Sequence, residues 1–538
     1  MSVLLAVSPV LLIFLLMTVG RRTADVAGLI GWLFTAALAV TVFHTDWHVV
    51  LVGSLAGIVA SFPVSLMVVT SIFQINVMEE AGAIRRLVVF MKTLASGSRA
   101  AQVMLINVGA GTVLAALGAT PVSILPPIML SLGYSAFVAI ALPAIGYDAL
   151  CTYALLGVPV VVFADVAKGI TGHDFTPAQV GLYFAQYMPV VTSLIALSML
   201  WLVGGWREVA RGWHVALLTG LTAGFIAIGM NVAGLPTLTG VVAGLGVVLV
   251  MLAYVRLSGR RIIDRDALGD EDRRIEDGMG LGRAVLPWLL LVVFSVLTNF
   301  GRIGLYPILF QKLAMPLELV PGKPERLRML WQAYTWVLIA TLIALPFYRM
   351  GAARLGAAWA KTLRRAPRPA FAAAVYFAIA FVLNHSGKAP ALVAGKPAWA
   401  LNPAGGSNMV KVVADASAGV FHQAYAGVAA FLGLLGGFIS GSETSSIAML
   451  SKLHFDTMAQ VFAGADPERL LRISLLVAAV SGIGGGLASV ISPAKLQNAS
   501  AVIDRIGMES QVIRATVVIA LIMVLVVALM TFAFLARM

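Results

Sequence analysis

Two short stretches of this 538-residue chain set hydroxyl side chains beside helix-breaking residues, inside sequence that is otherwise apolar. One is Gly118-Ala119-Thr120-Pro121-Val122-Ser123; the other is Ser440-Gly441-Ser442-Glu443-Thr444-Ser445-Ser446. Each precedes a second interruption, at Gly157-Val158-Pro159 in the first case and at Gly484-Gly485-Gly486 and Ile491-Ser492-Pro493 in the second. Proline removes a backbone donor and disfavours helix in the residue before it. A helix interrupted in apolar surroundings leaves N–H and C=O groups that need water, protein or a solute as partner. The freed N-terminus of a half-helix carries roughly half a positive charge and presents N–H donors, which suits a carboxylate. The hydroxyls of Thr120, Ser123, Ser442, Thr444, Ser445 and Ser492 add donors. Pro121 and Gly157 mark breaks, and Lys495, two residues after Pro493, supplies a cation. These nine residues are the candidate anion-binding set. Paired interruptions in two halves of a membrane chain point to a binding site between them, whereas Gly and Ser also mediate plain helix crossings.

Two acids fall in the same stretches. Glu443, at the second tip, either relays a proton or caps the helix that begins there. Asp148, in Gly146-Tyr147-Asp148-Ala149-Leu150, either shares that proton work or braces neighbouring helices. Lys495 has its own alternative, a side chain reaching to the membrane surface. His385 and Lys388 read as loop residues at a helix end. The single cysteine, Cys151, excludes an internal disulfide and any cysteine-based metal or redox centre, and reads as a small packed residue. The seven histidines do not cluster at ligand spacing, and no H-E-x-x-H, G-x-S-x-G or Walker A motif is present. Neither an enzyme nor a resident cofactor or metal is expected.

The elements that hold these residues follow from composition. Apolar residues make up 60% and charged residues 11% of the chain, far below the roughly 25% charge of soluble domains. The apolar residues form runs of about 18 to 30, the length a helix needs to cross a bilayer. An all-α polytopic protein of the inner membrane is expected, with the lipid bilayer as its solvent. The net charge of +13 resides in short loops beside apolar runs, as orientation signals do, so nucleic acid is not expected as a partner. The run from Ser2 to Gly20 lacks a basic leader and a cleavage site and reads as an uncleaved span. Basic loops at Arg21-Arg22, 79–99, 204–212, 256–283 and 348–368 are assigned inside. These assignments agree only if 101–132 enters and leaves by one side, as a re-entrant hairpin; the five basic residues of 302–328 fall outside against the rule. Within 79–99, Ile84, Leu87, Val88, Met91 and Leu94 suit a helix lying along the membrane face. The charged stretch 256–283 reads as a solvated cytoplasmic linker. It separates a first half, 1–255 (hairpin 101–132, broken helix 136–163), from a second, 284–538 (hairpin 416–462, broken helix 473–502).

At these positions the chain resembles the L-lactate permease family. Ser440-Gly441-Ser442-Glu443-Thr444-Ser445-Ser446 looks like the family's [ST]-G-S-[DN]-T-S-S tip, Val490-Ile491-Ser492-Pro493 is similar to its I-S-P element, and Asn384-His385-Ser386-Gly387 to N-Y-S-G. Gly118-Ala119-Thr120-Pro121 resembles G-F-G-T-P, and Gly157-Val158-Pro159 resembles G-T-P. The acid that precedes the family's first tip is absent here, where Val113 stands, and Asp148 is additional. The resemblance implies an inverted-repeat fold of the ion-transporter superfamily, with two re-entrant helical hairpins, two broken helices and an elevator-type motion. It implies a symporter for a small monocarboxylate such as lactate or glycolate, coupled to a proton. Sodium coupling, export, a short-chain fatty acid or a dicarboxylate remain alternatives, with an intramembrane enzyme or channel more remote. Whether the chain works alone or as a homodimer is left open.

Overall fold

Long apolar runs become helices because their backbone groups have no other partners at membrane depth. The computed structural model describes residues 2–94, 98–116, 120–299, 305–393 and 395–538. The expected tip residues Leu117, Gly118 and Ala119 therefore lie outside the described residues. Helices α1 (Ser2–Thr18), α2 (Ala24–Thr41), α3 (Trp47–Ala60) and α4 (Phe62–Glu80) open the chain. The expected continuous run over 49–78 is divided at Ser61, where Pro63 begins a new helix. Then come α5 (Ala83–Thr93), α6 (Arg99–Ala116, with a π-helical middle), α7 (Pro121–Ser131), α8 (Ala136–Asp148), α9 (Ala154–Thr171) and α10 (Pro177–Ala185). The long α11 (Met188–Val232) reverses at Gly204-Gly205. Its arms pack so closely that a side chain on Gly220 or Gly224 would strike the backbone of Ser193 or Pro189. Helices α12 (Thr239–Leu257), α13 (Asp270–Gly278) and α14 (Leu286–Asn299) follow.

A β-hairpin, β1 (Met315–Val320) and β2 (Lys323–Leu327), precedes α15 (Ala333–Tyr348), α16 (Ala352–Arg365) and α17 (Pro367–His385). A second hairpin, β3 (Lys388–Val393) and β4 (Lys396–Leu401), leads to α18 (Met409–Phe421), α19 (Tyr425–Ser440), α20 (Glu443–Val461), α21 (Pro467–Leu487), α22 (Pro493–Val502) and α23 (Glu509–Leu535). Neither hairpin was expected: both lie between apolar runs, where local pairing satisfies a short polar connection. Lys388 thus sits in a strand, while His385 ends α17, buried. Among the described residues, ten helices are long and apolar enough to cross a membrane.

The Gly484-Gly485-Gly486 interruption expected from the sequence is not one. The α21 helix continues to Leu487. The three glycines serve close approach instead. A side chain on Gly484 would run into the Ala430 carbonyl, and on the facing helix α19 one on Gly433 or Gly437 would meet the carbonyl of Ser481 or Gly485. Backbone contact of this kind is how helices associate where lipid removes the hydrophobic drive.

The linker is not a loop throughout. Residues 270–278 are helical, and Asp272 and Glu276 pair with Lys92 (2.9 Å) and Arg86 (3.2 Å) of α5. As expected, α5 is amphipathic, with Ile84, Leu87 and Val88 buried and Arg85 exposed. A second ionic cluster joins α4, α16 and the turn after α22. The Arg365 guanidinium, 7% exposed, forks onto Asp504 (2.6 and 3.1 Å) and also reaches Glu79 (3.1 Å) and Asn76 (2.5 Å). The hydrogen bonds from Arg365, reinforced by its charge and those of Arg364 and Lys361, hold the Asp504 carboxyl below its ordinary value of 3.8, against the opposing effect of partial burial.

Gly484→Val should sharply lower the yield of monodisperse protein by size-exclusion chromatography in detergent, because overpacking costs about 1–3 kcal/mol, and occasionally more. Gly356→Ala, in the exposed helix α16 with open space around it, should leave the elution profile unchanged. Arg365→Gln should lower the Tm by the equivalent of about 2 kcal/mol, as for hydrogen bonds to a charged group. Asp504 has a depressed native pKa, so its contribution is present above pH 3.8 and is lost on acidification below it. The Tm difference should therefore be the same at pH 7 and pH 5 and shrink only in stronger acid.

Candidate functional site

The break in the first half is built by Pro159 and Gly157. Proline cannot continue the preceding helical hydrogen bonds, and Gly157 turns left-handed (φ 75°) together with Leu155 (φ 53°) and Leu156 (φ 55°). Two consecutive leucines in this region store about 1–3 kcal/mol each, a cost that persists only where tertiary contacts impose it. Gly157 itself packs against the backbone of Pro236 and Thr237. Ahead of it, α8 ends at Asp148 and a 3-10 turn over Cys151–Tyr153 displays Thr152.

In the second half, Gly441 (φ 66°) ends α19, and the Ser442 hydroxyl caps α20 by accepting from the Ser445 N–H at 3.3 Å. Glu443 is therefore the first residue of a helix, where a carboxylate is favoured. Its Oε1 accepts from the Thr152 hydroxyl at 2.6 Å, joining the tip of one half to the break of the other. Its Oε2 is buried with no partner among the described residues. It lies 2.6 Å from where a side chain on Gly486 would begin, so that glycine makes room for the carboxylate, and Cys151 borders the same spot.

The α21–α22 break spans Ala488–Val490 and ends at Ser492, with Pro493 opening α22. Ser492 is wholly buried, and its hydroxyl has no partner among the described residues, although it stands next to Gly441 of the tip. Lys495 Nζ donates to the Ser489 hydroxyl at 2.5 Å and sits 3.9 Å above the Tyr147 ring. Asp148, 4% exposed, faces the Ser489 hydroxyl, the Val490 amide and Lys495 without meeting any of them at hydrogen-bonding geometry.

Asp148, Glu443 and Lys495 thus come together from three separate stretches, with Ser442 and Ser492 beside them. Thr444 and Ser445 follow on the half-buried first turn of α20, Ser445 through its backbone alone in the cap. Thr120 and Pro121 start α7 with no side-chain cap. Ser123, one turn on, lies 3.0 Å from Ser71 of α4 and accepts from Asn498 of α22 at 2.8 Å. Tyr147, Thr152, Ser489, Ser71 and Asn498 were not anticipated. Asn498 was within reach of the sequence, since it stands three residues after Lys495 and shares its helix face; Ser71 carries no local signal at all.

A family model described as L-lactate permease matches residues 2–538. Similar proteins include the glycolate permease GlcA of Escherichia coli (strain K12), 24% identical over 99% of this chain and 95% of that protein. The L-lactate permease of Streptococcus iniae is 24% identical over 84% of this chain and 89% of its own. The L-lactate permease of Escherichia coli (strain K12) is 23% identical over 99% and 95%. With a match along its whole length, this multi-pass protein of the cell membrane belongs to the L-lactate permease family, and it is a permease rather than an enzyme.

Proposed function

We propose that the chain carries a small monocarboxylate, of the kind its relatives are named for, across the cell membrane together with a proton. The observation that supports this reading is the meeting of Asp148, Glu443 and Lys495 where the helix breaks abut. With both acids ionised, these three side chains sum to one negative charge in surroundings of low dielectric. A carboxylate arriving there makes two, and like charges held together without water are strongly disfavoured. A proton on Glu443, or on Asp148, restores the earlier balance. Coupling also serves the energetics of uptake, because an inside-negative potential opposes an anion by about 2.3 kcal/mol per charge per 100 mV.

Lys495 receives the carboxylate, exchanging Ser489 for it. The first-turn amides of α22 lack helical partners by construction, and Ser492 and Ser442 add hydroxyls. One cation suits one carboxylate, so a dicarboxylate fits less well. In this reading residues 1–255 and 284–538 form an inverted repeat about the 256–283 linker. The pairs α6–α7 and α19–α20 are re-entrant hairpins, and together with α8, α9, α21 and α22 they form a block that slides past the remaining spans.

Uptake by proteoliposomes under separately imposed proton and sodium gradients tests this. Lactate and glycolate should accumulate with the proton gradient, and succinate should not; no gradient-driven uptake or counterflow of any monocarboxylate would remove the proposal. Glu443→Gln should keep counterflow exchange while gradient-driven accumulation drops at least about tenfold, the equivalent of 1.4 kcal/mol. Full retention of accumulation would take the relay role from Glu443. Cys151 borders the site and is the chain's one cysteine, so saturating substrate should slow its reaction with a thiol reagent.

A further inference from the structure

Helix α22 packs against both α7 and α8. Lys495 and Asn498, three residues apart on it, are neighbours on one face, with side-chain origins about 5–6 Å apart. Lys495 is directed at Tyr147 of α8, and Asn498 at Ser123 of α7. The Asn498 amide is the head of a directed chain. Its Nδ2 donates to the Ser123 hydroxyl at 2.8 Å, Ser123 stands 3.0 Å from the Ser71 hydroxyl, and Ser71 donates to the Val68 carbonyl at 3.2 Å. In the structure Asn498 is oriented with Nδ2 toward Ser123, and a consistent set of hydrogens follows: Ser71 donates to the Val68 carbonyl, Ser123 donates to Ser71, and Ser123 accepts from the amide. Every hydroxyl hydrogen is then placed.

That orientation leaves Asn498 Oδ1 over. Asn498 is 1% exposed, and Oδ1 has no partner among the described residues. A buried carbonyl oxygen calls for a donor. A carboxylate offers none, whereas a hydroxyl on the carbon beside the carboxylate does. If the carboxylate lies at Lys495, as proposed above, a hydroxyl on the adjacent carbon can turn toward Asn498, the neighbour of Lys495 on the same helix face.

We propose that Asn498, held by Ser123 and Ser71, is the specificity-determining residue that accepts a hydrogen bond from the 2-hydroxyl of the substrate and so selects 2-hydroxy monocarboxylates over their deoxy counterparts. A site built to bond a hydroxyl rejects the analogue without it, because the buried acceptor is then left bare. This rests on the placement of the carboxylate at Lys495, but not on the proton coupling.

The test compares glycolate with acetate, and lactate with propionate, in full-length protein in proteoliposomes. Wild type should prefer the hydroxylated member of each pair. Asn498→Leu should reduce the ratio of kcat/KM for glycolate over acetate by about tenfold or more, with acetate transport kept or raised. Ser123→Ala, which frees the amide to rotate, should reduce the ratio less; it is also the readout if the leucine variant does not insert. Protection of Cys151 from a thiol reagent by each acid gives the same comparison for binding without transport. A ratio unchanged in both variants, or equal losses for both members of a pair, would overturn the proposal. A wild type that carries acetate as well as glycolate would overturn it too, while leaving monocarboxylate transport standing. No response to any of the four acids would overturn both.

Discussion

A hydrogen bond of 2.6 Å between Thr152 and Glu443 joins two interruptions that lie 291 residues apart in sequence. Each interruption taken alone would be a defect: a stretch of unpaired backbone and polar side chain in surroundings that offer no water. Brought together, they supply one another with partners. Thr152 donates a hydrogen bond to Glu443, Ser489 accepts one from Lys495, and Lys495 lies over the Tyr147 ring. Asp148, one oxygen of Glu443, Ser492 and Asn498 Oδ1 remain buried without partners among the described residues.

Close backbone contact makes that junction possible. The α19–α21 crossing carries no side chain at Gly433, Gly437 or Gly484, and Gly486 gives its space to the Glu443 carboxylate. Small residues let two helices approach until their main chains touch. Leu155 and Leu156 adopt a left-handed backbone, a strained conformation that persists only where the surrounding packing imposes it. Around this centre, charge is kept to the ends of the helices. Arg365, Asp504 and Glu79 tie the turn after α22 to α4 and α16, and the charged linker docks on α5 through Lys92 and Arg86.

Much of this was legible in the chain itself. Run length and the near absence of charge determine a polytopic helical membrane protein, because a continuous apolar run of about 18 to 30 residues satisfies its backbone in lipid only as a helix, a barrel strand being shorter and alternating in polarity. Proline and glycine mark the breaks at 157–159 and 491–493 through local sterics that hold in any context. Hydroxyl-rich tips and the isolated Glu443, Asp148 and Lys495 stand out because polar groups are rare and costly in such sequence. The same local reasoning failed at Gly484-Gly485-Gly486. A glycine run breaks a helix in water, but in an apolar interior the helix is the way to satisfy its backbone, and the missing side chains serve the neighbour instead.

Only the tertiary structure decided who meets whom. Nothing in the order of residues says that Thr152 faces Glu443, that Lys495 rests on Tyr147, or that Ser71, Ser123 and Asn498 form one chain of hydrogen bonds, because these pairs are 52 to 375 residues apart and depend on how helices cross. Composition and spacing act through local backbone preference and solvent, so they determine which segments are helical and where they stop. The partners of a polar group buried between helices are chosen by packing, which sums contacts over the whole molecule and leaves no local trace.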